Sequence, residues 1–133
     1  MPMRVWTAAL MMVIGGAVSA VAAPLPSVVS LDYCADQYVL ALADREQILA
    51  VSPAAGAEYS YMAERARGLP RVRPTAEAVL MLAPDIVVRQ WGGGFGAPEV
   101  LGRFGIPVAQ IGDDVSLDEA RASLMAIGAA LGQ

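Results

Sequence analysis

Read from the N-terminus, the chain alternates short apolar runs with helical periodicity and repeats that alternation four times. Ser27–Leu31 (SVVSL) is an apolar strand, and Ala35–Ala43 follows as a helix with Ala35, Tyr38, Val39 and Leu42 along one face. Asp44-Arg45-Glu46 reads as a turn into a second strand, Ile48–Val51. The pattern then weakens from Ser52 to Pro74, where a short helix is expected around Ser60–Arg67. Regular alternation resumes with helix Ala76–Leu82, stopped by Pro84, and strand Ile86–Arg89. Trp91 and a run of glycines lie where that strand ends. Pro98 suits the first turn of the next helix, and Gly105 suits its left-handed cap. Ile106–Ile111 is a further strand. The last helix opens on Ser116 and Glu119, a capping box, with Asp118 at the positive end of the dipole. Its apolar residues Leu117, Ala120, Leu124, Ile127 and Leu131 repeat at three and four.

Strands that are apolar throughout and separated by helices imply a parallel sheet covered on both faces. The expected fold is therefore α/β: a doubly wound, mainly parallel four-stranded sheet with helices on both faces. Ligands of such sheets sit beyond the carboxyl ends of the strands. That rim is where Trp91 falls, beside Gly92, Gly93, Gly94 and Gly96.

The 133 residues suffice for one domain with a core, and part of the apolar content belongs to the N-terminus. Arg4 precedes an apolar run, Val5–Val18, which ends in small residues with Ala20-Val21-Ala22 as an A-x-A site. This is the layout of a secretory signal peptide, expected to be cleaved after Ala22; an uncleaved membrane anchor is the lesser alternative. Residues 1–22 are thus read as a leader and 23–133 as the domain. The chain ends directly after a helix, which suggests that a following portion is missing.

Charge and chemistry narrow the function. There is no histidine and no lysine. Without Arg4, 8 arginines face 13 carboxylates. An acidic exported domain is a poor nucleic-acid binder, and no His-based catalytic set or His-ligated metal site can be built. No carboxylate pair stands out, and Asp113-Asp114 reads as a solvated turn, so no catalytic residue, metal or cofactor is expected. Cys34, the single cysteine, rules out an internal disulfide and reads as a small buried hydrophobe. The glycine run does not fit a dinucleotide fingerprint. It follows the third strand rather than the first, and Ala97 or Glu99 stands where the last glycine belongs. Glycines 92–94 fit better as a flexible rim that lets a bulky ligand approach the backbone. Tyr33, Tyr59, Tyr61 and Trp91 each follow a strand, with Phe95 and Phe104 near them in sequence, and such aromatic faces suit a large, partly apolar organic ligand. Arg65, Arg67, Arg71 and Arg73 either face an anionic ligand or form an exposed helix face.

Three segments carry a resemblance. LAPDIVVRQWGG, the helix after it, and FGIPVAQIGDDVSLDEARASLMAIGAALG resemble the N-terminal lobe of periplasmic binding proteins for iron–siderophore, haem and vitamin B12 uptake. SVVSLDYCADQYVLALADREQILAVS is similar to the opening of that lobe. The resemblance spans Ser27 to Gly132. It implies a single Rossmann-like lobe of a two-lobe, non-enzymatic binding protein. Such a protein holds an iron chelate, haem or cobalamin between its lobes for an inner-membrane ABC permease. It also implies ligand contacts at Tyr59 and Trp91 and permease docking at Glu99; with Tyr33, Gln90 and Gly92, which lie at the same strand ends, these make up the expected ligand site. The second lobe and the linking helix of that family are not in this chain, so a truncated copy or partial chain is expected. A second jaw contributing on the order of 200 Å² of apolar burial is worth roughly 5 kcal/mol at about 25 cal/mol per Å². That is about three to four decades of affinity, and one jaw alone is expected to bind weakly. The alternatives are a small exported α/β enzyme and a non-catalytic protein-interaction lobe.

Overall fold

Strands of three or four residues have little stability of their own and hold only when both faces are covered. The computed structural model, which describes residues 22–133, meets that requirement for the central strands. Its elements are β1 (Val28–Ser30), α1 (Tyr33–Leu42), β2 (Ile48–Ala50), α2 (Ala76–Leu82), β3 (Ile86–Arg89), α3 (Ala97–Arg103), β4 (Val108–Gln110) and α4 (Leu117–Ala130). The sheet order is β2-β1-β3-β4 and every pairing is parallel. Register is set by Val28 opposite Ile48 and Ile86, and by Val87 opposite Val108. The expected doubly wound four-stranded fold is the one adopted. Residues 1–21, most of the expected leader, lie outside the described residues. Among the described residues no helix is long and apolar enough to cross a membrane.

Side chains alternate across the sheet and build two cores. On one face Val28, Ile86 and Val88 pack under α1 and the end of α4, through Ala35, Val39, Leu40, Ile127 and Leu131. On the other, Val29 and Val87 pack under α2 and α3, through Val79 and Leu101. Because β1 leads outward to β2 on one side and β3 leads to β4 on the other, the winding direction reverses between β1 and β3. Adjacent strands there send their chains to opposite faces, which opens a crevice at their carboxyl ends.

Several expectations are corrected. The segment Ser60–Arg67 forms successive turns rather than a helix. Its amides bond mostly three residues back, as Ala63 N to Ser60 O and Arg67 N to Glu64 O do, and the Arg45 guanidinium donates to the carbonyls of Arg65 and Arg67 at 3.0 and 2.7 Å, tying down the end of the segment. Helix α1 begins two residues earlier than its apolar pattern, at Tyr33, because Asp32 caps it by accepting from the Ala35 amide. Cys34 is half-buried rather than buried. The fourth strand is shorter than expected and only partly covered. Along α4 only the C-terminal turns bury the apolar stripe: Leu117 is 90% exposed, whereas Leu131 is fully buried. Asp113 is exposed, as a solvated turn requires, but Asp114 is half-buried. Asp114 accepts from Tyr38 Oη and Ser123 Oγ, joining α1 to α4.

Inside the first core sits one carboxylate. Asp36, on α1, is fully buried and accepts from Ser30 Oγ at the end of β1, and from Ser52 N (3.0 Å) and Ser52 Oγ (2.5 Å) beyond β2. Burial pushes its pKa above the usual carboxylate range, only partly offset by the serine hydrogen bonds. A carboxyl whose folded pKa is raised contributes stability that is present at acid pH and lost as pH rises through that pKa. Asp36→Asn is therefore expected to melt higher than the native chain at pH 7 and within about 1 kcal/mol of it near pH 3. Thermal melts of both proteins across that range check this; a variant less stable at pH 7 than at pH 3, relative to native, contradicts it.

Candidate functional site

At the reversal point between β1 and β3 one side chain ties the crevice together. Asp32 follows β1, and its Oδ1 caps α1. Its Oδ2 accepts three consecutive amides from the turn leaving β3: Gln90 N at 2.7 Å, Trp91 N at 3.0 Å and Gly92 N at 2.8 Å. Successive amides pointing at one centre form an anion nest. Here the protein supplies the anion itself, so a phosphate would have to displace Asp32. This gives the physical basis for rejecting a dinucleotide site.

The clasp also explains the glycines. A Cβ on Gly92 would stand 2.3 Å from the Leu31 carbonyl oxygen. Gly93 has φ of 84°, and a Cβ there would meet that of Ala97 at 2.8 Å. The turn is held close against β1 and α3 rather than forming the flexible rim expected.

Beyond this turn lies an open cleft of about 320 Å³, lined by Arg89, Trp91, Phe95, Pro98 and the β4 exit from Gln110 to Asp113. Trp91 is 56% exposed, and its indole meets Phe95 edge-on with ring centroids 6.0 Å apart. Aromatic pairs in this geometry hold each other's orientation while leaving a face open. The cleft floor is cross-linked by amides. Gln90 Nε2 donates to Gly112 O and Asp113 Oδ1, at 3.1 and 3.0 Å, and Gln110 Nε2 donates to Gln90 O and Ile111 O. These bonds fix the exits of β3 and β4 to each other.

The residues singled out from sequence thus divide. Gln90 and Trp91 line the cleft. Tyr33 and Tyr59 form a second aromatic pair, centroids 5.4 Å apart, with Tyr33 Oη donating to Tyr59 O. They stand outside the cleft lining. Gly92 backs onto Leu31. Tyr61 projects into solvent, and Phe104, at the C-terminal end of α3, belongs to the amino edge of the sheet. Glu99 is exposed in the first turn of α3. The four arginines from Arg65 to Arg73 are also exposed. Arg67 pairs with Glu64, and Arg71 donates to Ala66 O. Among the described residues no group of acidic, histidine or cysteine side chains is arranged to hold a metal.

No family model and no curated protein matches this sequence. Solved structures do. The apo form of the periplasmic haem-binding protein RhuT of Roseiflexus sp. RS-1 superposes with a TM-score of 0.62 at 29% identity, over 82% of this chain and 42% of that one. A periplasmic haem-binding protein from Pseudomonas aeruginosa gives 0.59 at 26% identity, over 81% and 39%. The chain has the fold of one lobe of the periplasmic haem- and vitamin B12-binding proteins. The vitamin B12-binding protein BtuF of Vibrio cholerae, at 22% identity and a TM-score of 0.60, speaks for the fold alone; it is matched over 80% of this chain and 41% of its own. The chain spans about two-fifths of the length of these structures.

Two residues that organise the site are not among those singled out from sequence. Asp32 carried a readable signal, an aspartate directly before a helical pattern. The second is Arg89, a charge ending an otherwise apolar strand, whose burial only the packing reveals.

The clasp yields a test that separates it from ordinary capping. Asparagine caps helices about as well as aspartate, but its single carbonyl oxygen cannot serve Ala35 and the three turn amides together. Asp32→Asn is expected to cost about 2 kcal/mol in urea unfolding. A loss below about 0.5 kcal/mol would mean that the cap alone matters.

Proposed function

We propose that this chain forms one jaw of the exported solute-binding component of an ABC importer, carrying a bulky metal chelate. Haem, cobalamin and a ferric siderophore are the ligand classes. The observation that carries this reading is the Trp91–Phe95 pair, exposed on the rim of a cleft beyond the strand ends, in a fold matched to haem binders. Trp91 offers the ring face, Gln90 and the β4 exit form the floor, and Gly92 keeps the turn low. The Tyr33–Tyr59 pair extends the aromatic surface for a large guest. The protein works without catalysis and without a resident cofactor, because the chelator itself ligates the metal. Its place is the periplasm, reached by a leader cleaved after Ala22. Exposed Glu99 is the acidic contact for the permease.

In the exported form beginning at Ala23, Trp91 is the single tryptophan, so its fluorescence reports on the cleft. Haem, cobalamin and a ferric hydroxamate are titrated against it. At least one is expected to quench, with a dissociation constant in the micromolar range or weaker, since an open cleft covers one side of the guest. Trp91→Ala is expected to weaken calorimetric binding of that ligand by about tenfold, or 1.4 kcal/mol. Absence of quenching by all three overturns the reading. It would favour a protein-interaction lobe, for which the exposed apolar side chains of Leu117, Leu124 and Met125 on α4 speak.

Docking is tested separately. Glu99→Arg is expected to reduce ligand uptake by cells at least severalfold while leaving quenching unchanged. Equal loss of both would move Glu99 from the docking face to the ligand site.

A further inference from the structure

Arg89 is the last residue of β3 and only 3% exposed. By strand alternation it follows Val87 onto the face covered by α2 and α3. There it reaches the cleft beside Phe95, Pro98 and Gln110. Its Nε is buried with no hydrogen-bond partner, and among the described residues no carboxylate pairs with its guanidinium. Arginine cannot shed its charge, so a buried and unpaired guanidinium is costly unless something else supplies the anion.

The surrounding polar groups do not supply it. Gln90 and Gln110 spend their amides on backbone carbonyls and on Asp113. Asp113 is the single carboxylate in the lining. It is engaged by Gln90 and lies outside ion-pairing distance of Arg89. What the cleft lacks is therefore an anion at its inner end, next to an aromatic face at its rim.

We infer that Arg89 is the anchor for a carboxylate carried by the ligand: the cleft takes a flat aromatic or macrocyclic carboxylate, its acid group on Arg89 and its ring plane against Trp91. This rests on the proposed ligand-binding role of the cleft and narrows it, since an uncharged ferric hydroxamate presents hydrogen-bond acceptors but no carboxylate for the guanidinium fork. A planar guanidinium fork receives a carboxylate through two parallel hydrogen bonds. Asp113 opposes the charge of such a ligand and so favours one whose acid reaches past it.

The test uses small probes that need no iron and no second lobe. 1-Naphthoate and its neutral analogue 1-naphthamide are titrated calorimetrically into the full chain at millimolar concentration. The acid is expected to bind at least tenfold more tightly than the amide. Arg89→Met is expected to erase that preference by lowering the affinity for the acid much more than that for the amide, and Arg89→Lys to retain a smaller one. If Arg89→Met does not fold, Arg89→Lys carries the comparison, and an undiminished preference in it overturns the anchor. Equal affinities for the two probes, or no binding of the acid, also overturn it. The parallel haem titration judges the other claim. Acid preference without quenching by any chelate leaves the anchor standing and removes the transport reading. Quenching by a chelate with no acid preference does the reverse.

Discussion

One carboxylate, that of Asp32, sets the geometry on which the site depends. It sits where two neighbouring strands send the chain to opposite faces of the sheet, and it binds both departures at once. One oxygen holds the first turn of α1, and the other gathers the amides of Gln90, Trp91 and Gly92. A turn held by three charge-assisted hydrogen bonds cannot drift. Trp91 is therefore presented from a fixed backbone, although its ring is largely in water. The same clasp demands a glycine at 92, because the turn is drawn against the Leu31 carbonyl. Many doubly wound folds use this crevice for a phosphate. Here the negative charge is built in, and the open cleft lies farther out, at the exits of β3 and β4.

Packing strength falls off across the sheet in the direction of that cleft. The central strands β1 and β3 are buried on both faces, and the two cores meet across them. The edge strand β4 is only partly covered, and the first turns of α4 expose the stripe that its final turns bury. What steadies this side is polar. Gln90 and Gln110 cross-link the β3 and β4 exits, and Asp114 ties Tyr38 to Ser123. Hydrogen bonds fix position without demanding burial, which suits a wall that is open to solvent on one side.

Aromatic faces, a cross-linked amide floor and one buried guanidinium can bind, orient and discriminate. The match to haem-binding proteins concerns the lobe, at 29% identity over two-fifths of the relative's length. Asp36, the other buried ionisable group of note, serves the fold instead. It links β1, α1 and the β2 exit at the cost of desolvation, away from the cleft.

The order of elements, the parallel sheet and the placement of Trp91 at its carboxyl rim followed from the sequence by itself. Apolar runs too short for membrane spans, spaced by helical periodicity and punctuated by proline and glycine, admit few other folds. Capping by Ser116 and Glu119 was legible for the same reason, since it is a local hydrogen-bond pattern written in adjacent residues. Tertiary structure alone decided what depends on distant partners. The segment Ser60–Arg67, expected as a helix, is a run of turns whose end is tied down by Arg45, which donates to the Arg65 and Arg67 carbonyls across about twenty positions of chain. The aromatics separated into two pairs, Tyr33 with Tyr59 and Trp91 with Phe95, because each ring went to the strand exit its own connection reached. Asp113 stays exposed, as its sequence suggested, whereas folding brought Tyr38 and Ser123 to the half-buried Asp114. Arg89 reads as an ordinary strand terminus, and only the covering of both sheet faces turns it into a buried charge awaiting a partner.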